Sequence, residues 1–69
     1  MATQEQVKLL QFIMRLDLST HIQIPMLNHI VKSYKNNLSE GITKMLELLK
    51  DCRNEQEVEE KLRQEGIME

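Results

Sequence analysis

Large aromatic side chains are almost absent from this sequence of 69 residues. It contains no tryptophan, and Phe12 and Tyr34 are its only phenylalanine and tyrosine. A hydrophobic core must therefore be built from aliphatic side chains and methionine, which suit the close contacts of packed helices. Hydrophobic residues still make up 41% of the chain, which argues against an intrinsically disordered protein.

Residues that carry out chemistry are also scarce. Cys52 is the only cysteine, so an internal disulfide is excluded, and its predicted place at a helix C-terminus disfavours a thiolate nucleophile. His21, His29 and Cys52 do not share a metal-ligand spacing. The carboxylates of residues 55–60 have no apolar wall that would raise a pKa. We therefore predict a non-enzymatic protein with no catalytic residue, metal ion, cofactor or small-molecule substrate.

Long hydrophobic runs are missing as well. No apolar stretch approaches the roughly 20 residues that a membrane-spanning helix needs. The first residues are polar and unlike a secretory signal. A single cysteine fits a reducing compartment. We expect a cytoplasmic protein that does not enter a membrane, with the nucleus as the alternative location.

The first helical pattern begins after Thr3, which can cap it together with Gln6 in a capping box, with Ala2 and Val7 as a hydrophobic staple. Apolar residues cover a broader arc of this helix than one buried stripe requires. So short a chain has few helices to cover that arc, and we predict a second copy as its partner. The predicted protein interface consists of Leu9, Phe12, Ile13 and Leu16.

The only proline, Pro25, sets the predicted start of a second helix, because proline is tolerated in a first turn. This helix is predicted to end near Lys35, before the turn-forming pair at residues 36–37. The preceding segment His21–Ile24 alternates polar and apolar residues, which is the period of a strand. The segment is too short to decide whether residues 20–24 form one.

Two further helices follow. The third has the most regular pattern, and Asn37 or Ser39 can cap it. In its first turn Gly41 suggests the close approach of another backbone. Its predicted buried face contains Leu38, Ile42, Met45, Leu46, Leu49 and Cys52. The fourth helix begins at Asn54, which can cap it with Glu57, and ends at a Schellman motif. That motif places Gly66 at the C′ position, with Ile67 able to contact Leu62.

The formal net charge of −2 hides an uneven distribution. Residues 1–35 contain four basic and two acidic side chains, whereas residues 36–69 contain five basic and nine acidic ones. The acidic half disfavours a nucleic-acid surface there, and the basic half permits one.

These patterns predict an all-α fold of one domain, residues 1–69, in which three or four short helices form a small bundle completed by dimerisation. The favoured function is a helical interaction or regulatory protein that self-associates and binds a protein partner through an aliphatic helix face. The alternative is a dimeric DNA-binding transcriptional regulator, of the helix-turn-helix type across residues 36–39 or of the ribbon-helix-helix type with a strand near residue 22. Its candidate nucleic-acid contacts are His21, Gln23, His29, Lys32 and Lys35.

Overall fold

Four short helices account for most of the chain. The computed structural model describes residues 3–69 and contains α1 (Gln4–Leu16), α2 (Thr20–Ser33), α3 (Leu38–Leu49) and α4 (Glu55–Gln64). No strand occurs within the described residues. The prediction of a small all-α bundle is therefore confirmed, while its completion by a second copy stays a prediction. The staple predicted between Ala2 and Val7 lies outside the described residues.

Side-chain capping sets the start of α1, and a left-handed residue sets its end. The hydroxyl of Thr3 accepts a hydrogen bond from the Gln6 N–H at 3.1 Å, and the Gln6 amide oxygen accepts one from the Thr3 N–H at 2.9 Å. The predicted capping box is thus confirmed. At the other end Asp17 adopts the left-handed conformation, with φ of 52°. The chain then reverses, and Leu18 enters the core.

Helix α2 begins at Thr20 rather than at the predicted Pro25, so the strand hypothesis for His21–Ile24 is wrong. Pro25 lies inside the helix and has no N–H to donate to the His21 carbonyl, a defect that costs about 3 kcal/mol. Burial offsets this cost, because Ile22 on one side of the proline and Met26 on the other are completely buried. Tertiary packing therefore allows α2 to continue through Pro25, although local propensity places a proline in the first turn of a helix.

Helix α3 lies at the centre of the fold and packs against α1, α2 and α4. Ile42, Met45 and Leu49 on α3 are buried, whereas Leu46 is only partly buried. The centre of the buried face is therefore rotated slightly from the predicted one. The core consists of Leu9, Phe12, Leu18, Ile22, Met26, Ile30, Ile42, Met45, Leu49, Val58 and Leu62.

A close contact between Gly41 and Tyr34 joins the start of α3 to the end of α2. A Cβ atom added to Gly41 would lie 2.8 Å from both Cβ and Cγ of Tyr34. Real Cβ atoms essentially never approach a neighbour so closely. The close approach that the sequence suggested at this glycine is thus present, but the approaching group is a side chain rather than a backbone.

The Asn54 cap and the Schellman motif predicted for α4 are confirmed, but the Glu57 side chain accepts from the Arg53 N–H at 3.0 Å instead of completing a capping box with Asn54. The Asn54 side-chain oxygen accepts a hydrogen bond from the Glu57 N–H at 2.9 Å. Gly66 has φ of 72°, and the Ile67 N–H donates to the Leu62 carbonyl at 2.9 Å, as a Schellman motif requires. These caps define a helix that contributes only two residues, Val58 and Leu62, to the core.

Truncation of Leu49 to alanine is expected to destabilise the protein by about 2–5 kcal/mol, because Leu49 is completely buried at the centre of the core. Leu46→Ala should cost less, since that side chain is partly exposed. Glu47→Ala is the control on the exposed face of the same helix and should change stability by at most about 0.5 kcal/mol. Urea titration gives the free energy of unfolding of all three variants. Equal losses of stability in the three would contradict this orientation of α3.

Gly41→Ala is expected to destabilise the fold by about 1 kcal/mol, because the clash with Tyr34 outweighs the better helix propensity of alanine. The same substitution in a Tyr34→Gly background should instead be neutral or stabilising, since the clashing atoms are then gone. Thermal unfolding of the wild type, the two single variants and the double variant gives the effect of Gly41→Ala on stability in each background. A loss of the same size in both backgrounds would show that Tyr34 is not the cause.

Candidate interaction surface

Large apolar side chains remain exposed on the first two helices. Within residues 3–69, seven large hydrophobic residues are exposed, and six of them lie on α1 and α2. The seventh, Leu38, begins α3. Because both helices also bury a separate apolar face against the core, their exposed residues are not the edges of the core. They form a second apolar side on each helix.

On α1 this second side consists of Val7, Leu10 and Met14, with exposed fractions of 42–69%. Thr3 precedes them by one turn, so the four residues are spaced 4, 3 and 4 apart. We call this row the α1 seam. The buried residues Leu9 and Phe12 face the core instead, so apolar side chains surround much of the helix.

On α2 the exposed row is Ile24, Leu27 and Val31, with exposed fractions of 39–55%. Thr20 precedes it, and the spacing is again 4, 3 and 4. We call this row the α2 seam. Ile22, Met26 and Ile30 form the separate buried face of the same helix.

The two seams share the spacing of the a and d positions in a coiled coil. Leu10 and Leu27 occupy d-like positions, and Val7, Ile24 and Val31 occupy a-like positions, which are residue types that such positions favour. Neither seam includes a charged residue. Rows of this kind pack well against another helix and against copies of themselves, because no like charges are brought together.

The four residues predicted as a protein interface lie closer to the core than expected. Leu9 and Phe12 are buried in the chain's own core, whereas Ile13 and Leu16 are partly buried against it. The broad apolar arc of the sequence is present, but its free part is the α1 seam. Hydrophobic periodicity alone could not separate the two sides, since both consist of aliphatic residues at helical spacing.

The predicted nucleic-acid contacts are only partly brought together. His21, Lys32 and Lys35 are exposed on the polar side of α2 or just after it. Gln23 lies elsewhere, and its amide donates to the Leu18 carbonyl at 2.8 Å. His29 is partly buried and meets the Tyr34 ring edge-on, with 6.5 Å between ring centroids. His21, Lys32 and Lys35 therefore form a small basic group on and just after α2. The strand expected to contact DNA bases is absent from residues 21–24, which are helical.

Serine, histidine and glutamate side chains meet where α2 and α4 begin. The Ser19 hydroxyl donates to the Glu55 carboxylate and lies 2.7 Å from Nδ1 of His21, while Nε2 of His21 is 3.9 Å from the same carboxylate. Because Ser19 donates directly to the carboxylate, the imidazole is not placed as the base of a nucleophilic serine. We interpret the cluster as a structural contact between α2 and α4. It places the Glu55 carboxylate at the N-termini of both helices, where a negative charge is favourable.

Other reactive side chains are dispersed. No three residues among the histidines, cysteine and acids of residues 3–69 come together as metal ligands. Cys52 is partly buried beyond the end of α3 and packs against the core. Burial raises the pKa of its thiol, and the nearby Glu57 carboxylate raises it further.

Comparison with known proteins found no matching family model, no matching curated protein and no matching solved structure. Among the helices of residues 3–69, none is both long enough and apolar enough to cross a membrane.

Cys52 is expected to react more slowly with a disulfide reagent at pH 8 than a free thiol does, because its raised pKa leaves less thiolate. The rate of thiol modification as a function of pH should place the Cys52 pKa above the ordinary cysteine value. Glu57→Gln should lower that pKa while keeping a cap for α4, since the glutamine oxygen still accepts from Arg53. A profile equal to that of the urea-unfolded chain would contradict this expectation.

Proposed function

We propose that this protein is a small non-enzymatic helical interaction protein that self-associates through the α1 seam and binds a protein partner through an aliphatic helix face. The observation that carries the proposal is the pair of uncharged seams with coiled-coil spacing on α1 and α2. One seam serves pairing with a second copy. The other remains free for a partner helix, which would add to α2 by the same packing.

The α1 seam is tested by placing a charge in it. Leu10→Glu should convert a dimer to a monomer of 8.2 kDa in sedimentation equilibrium at micromolar concentration, because an unpaired carboxylate would be buried in the interface. The fold should survive, since Leu10 is 57% exposed and circular dichroism should remain helical.

The matched control is Gln56→Glu, which adds the same charge at an exposed position of α4, outside both seams, and should leave the dimer intact. Two results would refute the proposal for α1. One is a monomeric wild-type protein that unfolds cooperatively. The other is a dimer that resists Leu10→Glu but dissociates with Val31→Glu, which would transfer self-association to the α2 seam.

A further inference from the structure

Between α1 and α3 lies an open cleft of about 580 Å³, which is within the size range of ligand-binding clefts. Its lining consists of Lys8, Gln11, Phe12, Arg15, Leu46 and Lys50. Leu46 supplies the accessible apolar surface, Phe12 lies buried beneath the Arg15 guanidinium, and the three basic residues stand around them. We call this feature the α1–α3 cleft. It lies about a third of a turn around α1 from the α1 seam, so pairing through the seam would leave it accessible.

The three cations of the cleft are free to bind a ligand. Within residues 3–69, none of Lys8, Arg15 and Lys50 forms an ion pair or a side-chain hydrogen bond. The Arg15 guanidinium instead lies over the Phe12 ring, 5.7 Å from its centroid. This stacking holds the guanidinium at the cleft while its N–H groups remain available to a carboxylate.

The spacing of the cations selects a ligand with separated charges. Lys8 and Arg15 are two helical turns apart, which is about 10 Å along the axis of α1. A chain that carries acidic groups at about that interval can contact both without either side chain bending toward the other, and an apolar side chain between its acidic groups can lie on Leu46.

Two carboxylates beside the cleft favour an acidic peptide over a nucleic acid as its ligand. The adjacent depression along the same helices is lined by Glu5 and Glu47, together with Lys8 and Lys50. A phosphate backbone carries charge on every nucleotide and would be repelled there. A peptide can place an uncharged residue beside Glu5 and Glu47 and keep its carboxylates near Arg15. Three cations are also few for binding by phosphate neutralisation.

From these observations we infer that the α1–α3 cleft binds an acidic segment of a protein partner, with an aliphatic or aromatic side chain on Leu46 and carboxylates at Lys8, Arg15 and Lys50. The inference rests on the proposed function only in taking the partner to be a protein. It does not depend on self-association, because it uses a different side of α1.

The test uses a fluorescein-labelled synthetic helical peptide with two glutamates two turns apart and a leucine between them on the same side. Its control peptide has glutamines at the two glutamate positions. Fluorescence anisotropy at low salt should show about tenfold tighter binding of the glutamate peptide to the full chain, and added salt should remove the difference. Equal affinities for the two peptides, or no binding of the glutamate peptide, would overturn the inference.

The site within the protein is located by a pair of matched triple variants. Replacing Lys8, Arg15 and Lys50 with glutamine should abolish the preference for the glutamate peptide. Replacing Lys32, Lys35 and Lys44 with glutamine changes the net charge equally and should preserve it. All six side chains are exposed, and circular dichroism checks that both variants fold. If both variants lost the preference for the glutamate peptide equally, net charge alone would explain the preference. That result would overturn the cleft as the binding site.

Two further measurements separate the competing outcomes. Leu10→Glu should bind the glutamate peptide as the wild type does, whatever its mass in solution, so failure of self-association and failure of the cleft are distinguished. A fluorescein-labelled single-stranded DNA should bind more weakly than the glutamate peptide at the same salt concentration. Tighter binding of the DNA, lost in the variant of Lys8, Arg15 and Lys50, would identify a nucleic-acid site and overturn the inference.

Discussion

The burial of one face of α3 is the constraint on which the rest of this structure depends. Helix α3 contacts each of the other helices, whereas α1 and α2 make little contact with each other. Ile42, Met45 and Leu49 therefore link elements that would otherwise share no common core. With only two large aromatic side chains in the chain, no bulky residue can substitute for this aliphatic packing. Each outer helix is held on one side, and its remaining sides are left for solvent or for other molecules.

This arrangement explains why the apolar surface is concentrated on α1 and α2. Helix α4 covers only part of α2 and α3, and its own apolar residues, Val58 and Leu62, are fully used in that contact. Residues 3–69 contain no further helix to pack on the outer sides of α1 and α2. Their aliphatic residues are thus left exposed by the number of helices rather than by any irregularity in a particular helix.

Local signals were sufficient to predict much of the fold. The capping box of Thr3 and Gln6, the Asn54 cap and the Schellman motif at Gly66 each involve residues a few positions apart, so the sequence contains all the information they require. The start of α2 could not be predicted in this way. It depends on the burial of Ile22 and Met26 against distant parts of the chain, which outweighs the local cost of Pro25. Leu18 was missed as a core residue for the same reason, since it follows a turn rather than a helical pattern.

The candidate surface was predictable in kind but not in position. The excess of apolar residues on α1 is visible in the sequence, yet the choice between its two sides is made by α3, which buries Leu9 and Phe12 and leaves Leu10 exposed. The α1–α3 cleft lies further beyond sequence reasoning, because Lys50 is remote in the chain from Lys8 and Arg15. Such a cluster exists only once two helices have been placed side by side.

Pro25 affects which part of this molecule is expected to unfold first. The carbonyl of His21 lacks its helical donor, so the first turn of α2 is joined to the remainder by fewer backbone hydrogen bonds than any other internal turn would be. That turn is also where Ser19 and His21 meet Glu55 at the start of α4. Local opening there would release two helix ends together while α1 stays packed on α3. Ile22 lies in this turn and is completely buried, so the opening also separates part of the core, and the amide hydrogens of residues 20–24 are expected to exchange together with those at the start of α4.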